Sequence, residues 1–173
     1  DALAVQVVFA SREPREGYPA ALQAAERALQ LDPDLAEAHA TRGHIHMNFL
    51  HDWPAALEDF DEAIRHDPRY AMARVWRGLW LVFVGRTDEG LAELATAVEL
   101  EPSSMPPVVT YARGLYSARR HGEAAAALER VVEVEPQNML ARAMLASVYI
   151  ELGRFDAALV LASDVAGKSP GGF

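Results

Sequence analysis

Five prolines divide the chain at an almost constant interval. Pro33, Pro68, Pro102, Pro136 and Pro170 are 35, 34, 34 and 34 residues apart, and the first four follow an acidic residue. Between successive prolines lie two apolar patterns of helical period, with almost no alternation of the strand type. Because a fixed period of about 20–50 residues is typical of repeat architectures, the chain is predicted to be a series of helical hairpins.

Glycine marks the point where the first helix of a hairpin ends. Gly85 and Gly153 each follow an apolar run, and the next apolar run begins within a few residues. Glycine adopts the left-handed backbone conformation that ends many helices at no steric cost. We therefore expect both glycines to have a positive φ.

The helix starts carry their own signals. Asp34 and Glu37 have the spacing of a capping box, Asp52 is followed by Pro54 in a first turn, and Thr87 precedes two acidic residues. The predicted first helices span 35–50, 71–84, 107–118 and 139–152, and the predicted second helices span 19–30, 54–65, 88–99, 123–134 and 155–166.

The repeating unit resembles the tetratricopeptide repeat (TPR), whose signature is W-x₂-L-G-x₂-Y…A-x₃-F…P at a period of 34 residues. The matching residues are Gly43, Ala56, Phe60, Ala63 and Pro68; Gly78, Gly85, Leu94, Ala97 and Pro102; and Leu145, Ala146, Tyr149, Gly153, Phe155, Ala158, Ala162 and Pro170. The third repeat departs from the signature at Gly90, where alanine is expected, and the fourth has an unusual Gly114.

The resemblance implies an all-α fold, a right-handed superhelix of stacked antiparallel helix pairs with about five repeats. The whole chain, 1–173, is then a single array, with repeats at 2–33, 34–68, 69–102, 103–136 and 137–170. The first of these repeats is degenerate, because its first helix lacks the small residue that the signature has there.

The chain also resembles, more narrowly, the TPR portions fused to bacterial winged-helix activators, adenylate cyclases and serine/threonine kinases. That resemblance implies a regulatory or docking part of a larger protein.

Composition excludes several partners. The formal net charge is -9, and nucleic-acid affinity comes largely from basic side chains, so direct nucleic-acid binding is not expected. The longest strongly apolar run, 79–84, is far shorter than the roughly 20 residues that span a bilayer. We therefore expect no membrane span and a cytoplasmic protein. The chain begins at Asp1 rather than Met and is interpreted as an excised or processed piece, so a lost signal peptide stays open.

No catalytic or cofactor motif is found. Gly167-Lys168-Ser169 resembles the end of a phosphate-binding loop, but Ala162 stands where that loop requires glycine. The run of Glu58, Asp59, Asp61 and Glu62 is interpreted as a solvated helix face. We therefore expect no enzyme and no cofactor.

The histidines and aromatic residues have structural interpretations. His39 and His46, seven residues apart, share a helix face, and the prediction is a pair of hydrogen-bonded, half-buried rings rather than a metal site. His44 is expected on the opposite, inner face. The residues Trp53, Phe60, Trp80 and Phe155 are expected between helices.

A partner-binding groove follows from the resemblance, because a TPR array turns one side of its first helices inward. The groove residues so implied are His44, Met47, Asn48, Met72, Val75, Leu79, Val82, Phe83, Val109, Arg113, Tyr116, Ser147 and Ile150. TPR domains that clamp acidic chaperone tails carry several basic and amide residues here, and only Asn48 and Arg113 remain. The implied groove is apolar at its centre, which favours an apolar peptide or helix as partner, with Arg113 making one charge-directed contact.

A second function stays open, in which a small apolar molecule or a metal in the groove controls an attached signalling or transcription domain.

The C-terminal hairpin also carries Val160 and Leu161 on an outward face where earlier repeats are polar or small. These two residues are predicted to be covered by a further helix or by a second copy of the chain in a homodimer.

Overall fold

The computed structural model describes residues 14–102 and 104–166, and every described element is a helix. The chain divides into two compact units, Asp1–Arg77 and Gly78–Phe173. Among the described residues no helix is both long and apolar enough to cross a membrane.

The described residues of the first unit form three complete α-helices and the start of a fourth. They are α1 (Pro14–Leu31), α2 (Ala36–Ile45), α3 (Trp53–His66) and the first part of α4 (Ala71–Phe83). Alanines at the crossings allow close packing, and Ala36, Ala40, Ala63 and Ala73 form one buried cluster.

Helix α2 does not run on to Leu50 as predicted. It passes at Ile45 into a π-helical turn, His46–Leu50, that ends at His51 with a φ of 55°. Asp52 then caps α3 by accepting a hydrogen bond from the Ala55 amide at 3.2 Å, with a proline in the first turn as predicted. This turn holds one extra residue, and it lies between Pro33 and Pro68, the one pair of successive repeat prolines that is 35 rather than 34 residues apart.

Two further expectations for this unit were wrong. The N-cap of α2 is Leu35 rather than Asp34, and no side chain caps this helix. Helix α1 begins at Pro14 instead of residue 19, with Pro19 inside the helix. The first helix predicted for the degenerate repeat, before Pro14, lies outside the described residues.

The described part of the second unit continues with the end of α4 and five more helices. They are α5 (Thr87–Leu100), α6 (Met105–Ser117), α7 (His121–Val134), α8 (Met139–Glu151) and α9 (Phe155–Ala166), and their bounds lie within two residues of the predictions. From α5 to α9 each helix packs on the next one in the chain. The large buried side chains of this unit include Leu94, Leu115, Leu128 and Val148.

Left-handed residues recur at the ends of the first helices with the same period as the prolines. Gly85 has a φ of 87° and Gly153 a φ of 72°, which confirms the prediction for both glycines. His51 and Arg119 occupy the equivalent places with φ of 55° and 59°. The backbone conformation therefore repeats even where the sequence no longer supplies glycine.

The predictions for the aromatic residues had different outcomes. Phe60 is fully buried, as expected, and Trp53 and Trp80 are partly buried. The expectation for Phe155 was wrong, since 62% of its surface is exposed on α9. As the first residue of that helix, Phe155 lies at the edge of the hairpin.

Candidate functional site

A candidate binding feature in the second unit is a cleft between α6 and α8. Both helices pack on α7, and they contact each other only weakly, so a space remains between their facing side chains. The cleft has a volume of about 670 Å³. Its lining residues are Met105, Pro106, Val109, Thr110, Arg113, Tyr116, Asn138, Leu140, Met144, Ser147 and Val148.

The spacing of these residues explains why they share one surface. On α6 the lining residues Met105, Val109 and Arg113 recur every four positions, which places them on one helix face. On α8 Leu140, Met144 and Ser147 are spaced by four and then three positions, which also places them on one helix face. The middle of the cleft is therefore apolar, and the flexible methionine side chains, one from each helix, adapt readily to an occupant.

Polar groups lie at the two ends of the cleft. At one end the Tyr116 hydroxyl donates to Glu151 Oε1 at 3.4 Å, which links α6 to α8. At the other end Asn138 caps α8 by accepting a hydrogen bond from the Ala141 amide at 2.9 Å. Both ends are thus fixed by side chains that also belong to the helix framework.

Arg113 supplies the positive charge of the cleft. Its side chain is exposed, and it makes no hydrogen bond or ion pair with any residue in the described part of the chain. Several other arginines of this unit are paired: Arg120, for example, donates to Glu123 at 2.6 Å. Arg113 is therefore a cation beside an apolar surface, in a chain of net charge -9.

The cleft contains only part of the predicted groove. Val109, Arg113, Tyr116 and Ser147 line it. Ile150 is 54% exposed and is not among the lining residues. The predicted groove residues of α4 in this unit, Leu79, Val82 and Phe83, do not line it either; Phe83 is 76% exposed.

In the first unit two predicted groove residues are buried. Met47 is 7% and Val75 is 3% exposed, so neither offers a surface to a partner, and their place in the groove was wrong. Met72 is partly buried and Asn48 is exposed. The Asn48 side-chain amide donates to the His44 carbonyl at 2.9 Å.

His44 is half-buried rather than open to a groove. Its ring lies 4.7 Å from that of Trp76 and 6.5 Å from that of Tyr18, measured between ring centroids. Burial lowers the pKa of His44 below its usual value, because desolvation disfavours the protonated ring. His44 therefore favours the neutral form in the folded chain.

Sequence reasoning missed most of the cleft. The residues it did not name are Met105, Pro106, Thr110, Asn138, Leu140, Met144 and Val148. A signal was present, since Leu140, Met144 and Val148 are apolar at intervals of four. The resemblance instead placed the inner face of α8 on Ser147, which does line the cleft, and on Ile150, which does not.

A buried carboxylate in the first unit was also missed. Asp59 is 3% exposed, so its assignment to a solvated face was wrong. Arg42 donates to Asp59 Oδ1 from Nε at 2.9 Å and from its terminal nitrogen at 2.6 Å, and His46 Nδ1 lies 2.8 Å from Oδ2. His39 Nε2 lies 2.8 Å from the Pro33 carbonyl oxygen. The prediction of hydrogen-bonded rings at His39 and His46 is confirmed.

Family models match two segments of the chain. Residues 49–104 and residues 115–171 each match a model described as tetratricopeptide repeat. The second of these segments includes all of α8 and the end of α6. No curated protein matches the sequence.

Solved structures of similar fold cover almost the whole chain. A thermophilic TPR protein of Thermus thermophilus is 24% identical, with a TM-score of 0.75 over 97% of this chain and 89% of that one. PilF of Pseudomonas aeruginosa is 18% identical, with a TM-score of 0.78 over 97% and 76%. MamA of Desulfovibrio magneticus is 16% identical, with a TM-score of 0.73 over 96% and 93%. At these identities the likeness is one of fold: an all-α TPR solenoid.

Proposed function

Because the chain belongs to the tetratricopeptide repeat family, we propose that it is a non-enzymatic interaction module that binds a short peptide in the cleft between α6 and α8. The peptide carries apolar side chains and one carboxylate. The TPR fold supports a protein–protein interaction scaffold in general. The observation that supports this particular partner is Arg113, which lies beside the apolar cleft and is unpaired within the described part of the chain.

The size of the cleft limits what it can enclose. An α-helix with side chains is about 10 Å across and rises about 1.5 Å per residue, so one helical residue fills about 120 Å³. Dividing the 670 Å³ of the cleft by this volume gives room for about five or six residues. The occupant is thus a short segment or one face of a longer helix.

Apolar contact supplies most of the affinity. Fully burying a Leu or Met side chain contributes about 1.5–3 kcal/mol relative to leaving it exposed. Two or three such side chains against Val109, Leu140 and Met144 contribute about 3–9 kcal/mol, and the entropy cost of association removes part of this contribution. We therefore expect micromolar or weaker affinity for a short peptide, not nanomolar affinity.

Charge selects among apolar peptides. An exposed ion pair contributes only about 0–1 kcal/mol, so Arg113 adds little affinity for a carboxylate. A lysine at the peptide position of the carboxylate would face the like charge of Arg113. The net charge of -9 attracts such a lysine to the chain as a whole and not to the cleft beside Arg113. The sign of the peptide charge at this position therefore decides specificity.

In a longer protein this module would dock a partner for an attached regulatory domain. That wider role follows the narrower sequence resemblance to the TPR portions of bacterial regulators. The peptide specificity of the cleft does not depend on it.

Three pools of fluorescein-labelled, amidated hexapeptides test the proposal. Five positions are drawn from Leu, Met and Ala, and one is Glu, Lys or Gln; the Gln pool is also made with a free C-terminus. Fluorescence polarisation should show saturable binding of the Glu pool and about fivefold weaker binding of the Lys and amidated Gln pools. Tighter binding of the Gln pool with a free C-terminus would identify a terminal carboxylate as the preferred group.

Matched variants tie the result to the cleft. Arg113→Glu should reverse the preference between Glu and Lys, whereas Arg130→Glu, the same change at an exposed position outside the cleft, should preserve it. Met144→Ala should weaken binding about tenfold, and Phe83→Ser should leave it unchanged. Equal binding of all pools, or a preference that survives Arg113→Glu, would contradict the proposal.

A further inference from the structure

A second polar cluster lies in the first unit, at the C-terminal end of α3. Glu62 and His66 are one helical turn apart, and Glu62 Oε2 lies 3.4 Å from His66 Nε2. His66 Nδ1 lies 3.3 Å from Asp34 Oδ1, in the turn that precedes α2. A carboxylate near Nδ1 favours the proton on that nitrogen, which leaves Nε2 with a lone pair, the arrangement that orients histidine ligands in metal sites.

His39 brings a third potential ligand to the same place. A ring nitrogen of His39, a ring nitrogen of His66 and a carboxylate oxygen of Glu62 all lie within 4.8 Å of one another. The two imidazole rings are nearly parallel, with centroids 5.5 Å apart. His39 is only 8% exposed, and its buried Nδ1 has no hydrogen-bond partner among the described residues.

A positively charged group already occupies the centre of this cluster. One terminal nitrogen of Arg65 lies 2.5 Å from Glu62 Oε2 and 2.5 Å from His66 Nε2. Both acceptor atoms therefore converge on one cation. The Arg65 side chain is 60% exposed and can swing into solvent at little cost.

The distances suit a small tetrahedral ion. Zn²⁺ binds nitrogen and oxygen ligands at about 2.0–2.1 Å, so the ligand atoms around it are about 3.3 Å apart. Glu62 and His66 already have that separation, at 3.4 Å. The ligand atoms of His39, Glu62 and His66 lie within 4.8 Å of one another. The His39 ring would therefore move inward by up to about 1.5 Å to reach the tetrahedral spacing of the ligand atoms.

We propose that His39, Glu62 and His66 bind one Zn²⁺ ion, with Asp34 orienting His66 and the Arg65 guanidinium giving up its place to the metal. Two imidazoles and a carboxylate are a ligand set that zinc accepts, with the fourth position open to water. The ion would join the turn before α2, α2 itself and α3, and so stabilise the first unit. This site is independent of the peptide cleft, which lies in the second unit.

Isothermal titration of the untagged chain with ZnCl₂ tests the site, with circular dichroism as a check on folding. The unmodified protein should bind one ion and unfold at a higher temperature when zinc is present. Glu62→Gln and His66→Gln should each weaken binding at least tenfold. His51→Gln, which removes an exposed histidine elsewhere in the same unit, should change nothing.

Removing the Arg65 guanidinium tests the proposal in a second way, because a misfolded variant would not bind zinc more tightly. Arg65→Gln should tighten zinc binding about tenfold, because a like charge leaves the site. Arg120→Gln, which breaks an equivalent i,i+3 pair with Glu123, is the matched control and should have no effect. The proposal is overturned if one-to-one zinc binding is absent, if it survives Glu62→Gln and His66→Gln, or if Arg65→Gln leaves it unchanged.

Discussion

Substitution of the buried Asp59 by asparagine should destabilise the chain by about 2 kcal/mol. Asp59 accepts two hydrogen bonds from Arg42 and lies within bonding distance of His46, and only 3% of it is exposed. Removing one partner of a buried ion pair typically costs about 3–5 kcal/mol. The Arg42 and His46 side chains are 30% and 19% exposed, so water can partly replace the lost charge. We therefore expect a destabilisation of about 2 kcal/mol, below the range typical of a fully buried pair.

Asp61→Asn is the matched control for this prediction. It is the same substitution in the same helix, and Asp61 also pairs with an arginine, Arg77, at 2.7 Å, but its side chain is 54% exposed. An exposed pair contributes about 0–1 kcal/mol. For a chain of this size, 1 kcal/mol corresponds to a Tm change of about 2–4 °C, so Asp59→Asn should lower Tm by about 4–8 °C. Equal Tm values for the two variants, measured by circular dichroism, would refute the reasoning.

Three other predictions concern separate features of the fold. Arg119→Gly should stabilise the chain by about 1 kcal/mol in urea unfolding, because glycine removes the cost of a left-handed arginine; destabilisation would argue against that conformation. Burial lowers the pKa of His44, so the unfolded chain takes up this proton first and stability falls as pH drops through about 6.5. His44→Gln should reduce that loss in unfolding measured from pH 7.5 to 5, and an unchanged pH profile would exclude His44 as a cause. Val160, 64% exposed, and Leu161 remain a surface predicted to be covered by a further helix or by a second copy of the chain: sedimentation should show self-association that Val160→Glu with Leu161→Lys abolishes, and a soluble monomeric parent that the double variant leaves unchanged would contradict it.

The helical hairpins could be predicted from the sequence because their signals are local. The proline interval, the two glycines with positive φ and the Asp52 cap all depend on residues close together in the chain. The capping box at Asp34 failed because its carboxylate lies beside His66 instead, a contact between residues 32 positions apart. A local pattern cannot reveal a competing partner that distant.

The candidate site was harder to predict because it depends on how each helix is rotated about its axis. A shift of one residue turns a helix by about 100°. Ile150, which was expected in the groove, is 54% exposed and does not line the cleft, whereas Met144 does. Asp59 shows the same difficulty, since charged neighbours made its helix face look solvated. Only the packing of α2 against α3 buries that one carboxylate.

Methionine methyl groups test the central claim most directly. The chain has five methionines; Met105 and Met144 line the cleft, whereas Met47 and Met72 lie in the first unit. With ¹³C-methyl labelling, addition of a Glu-containing hexapeptide should shift the Met105 and Met144 signals saturably and leave those of Met47 and Met72 in place. Shifts at Met47 or Met72 with none at Met105 and Met144 would contradict the account.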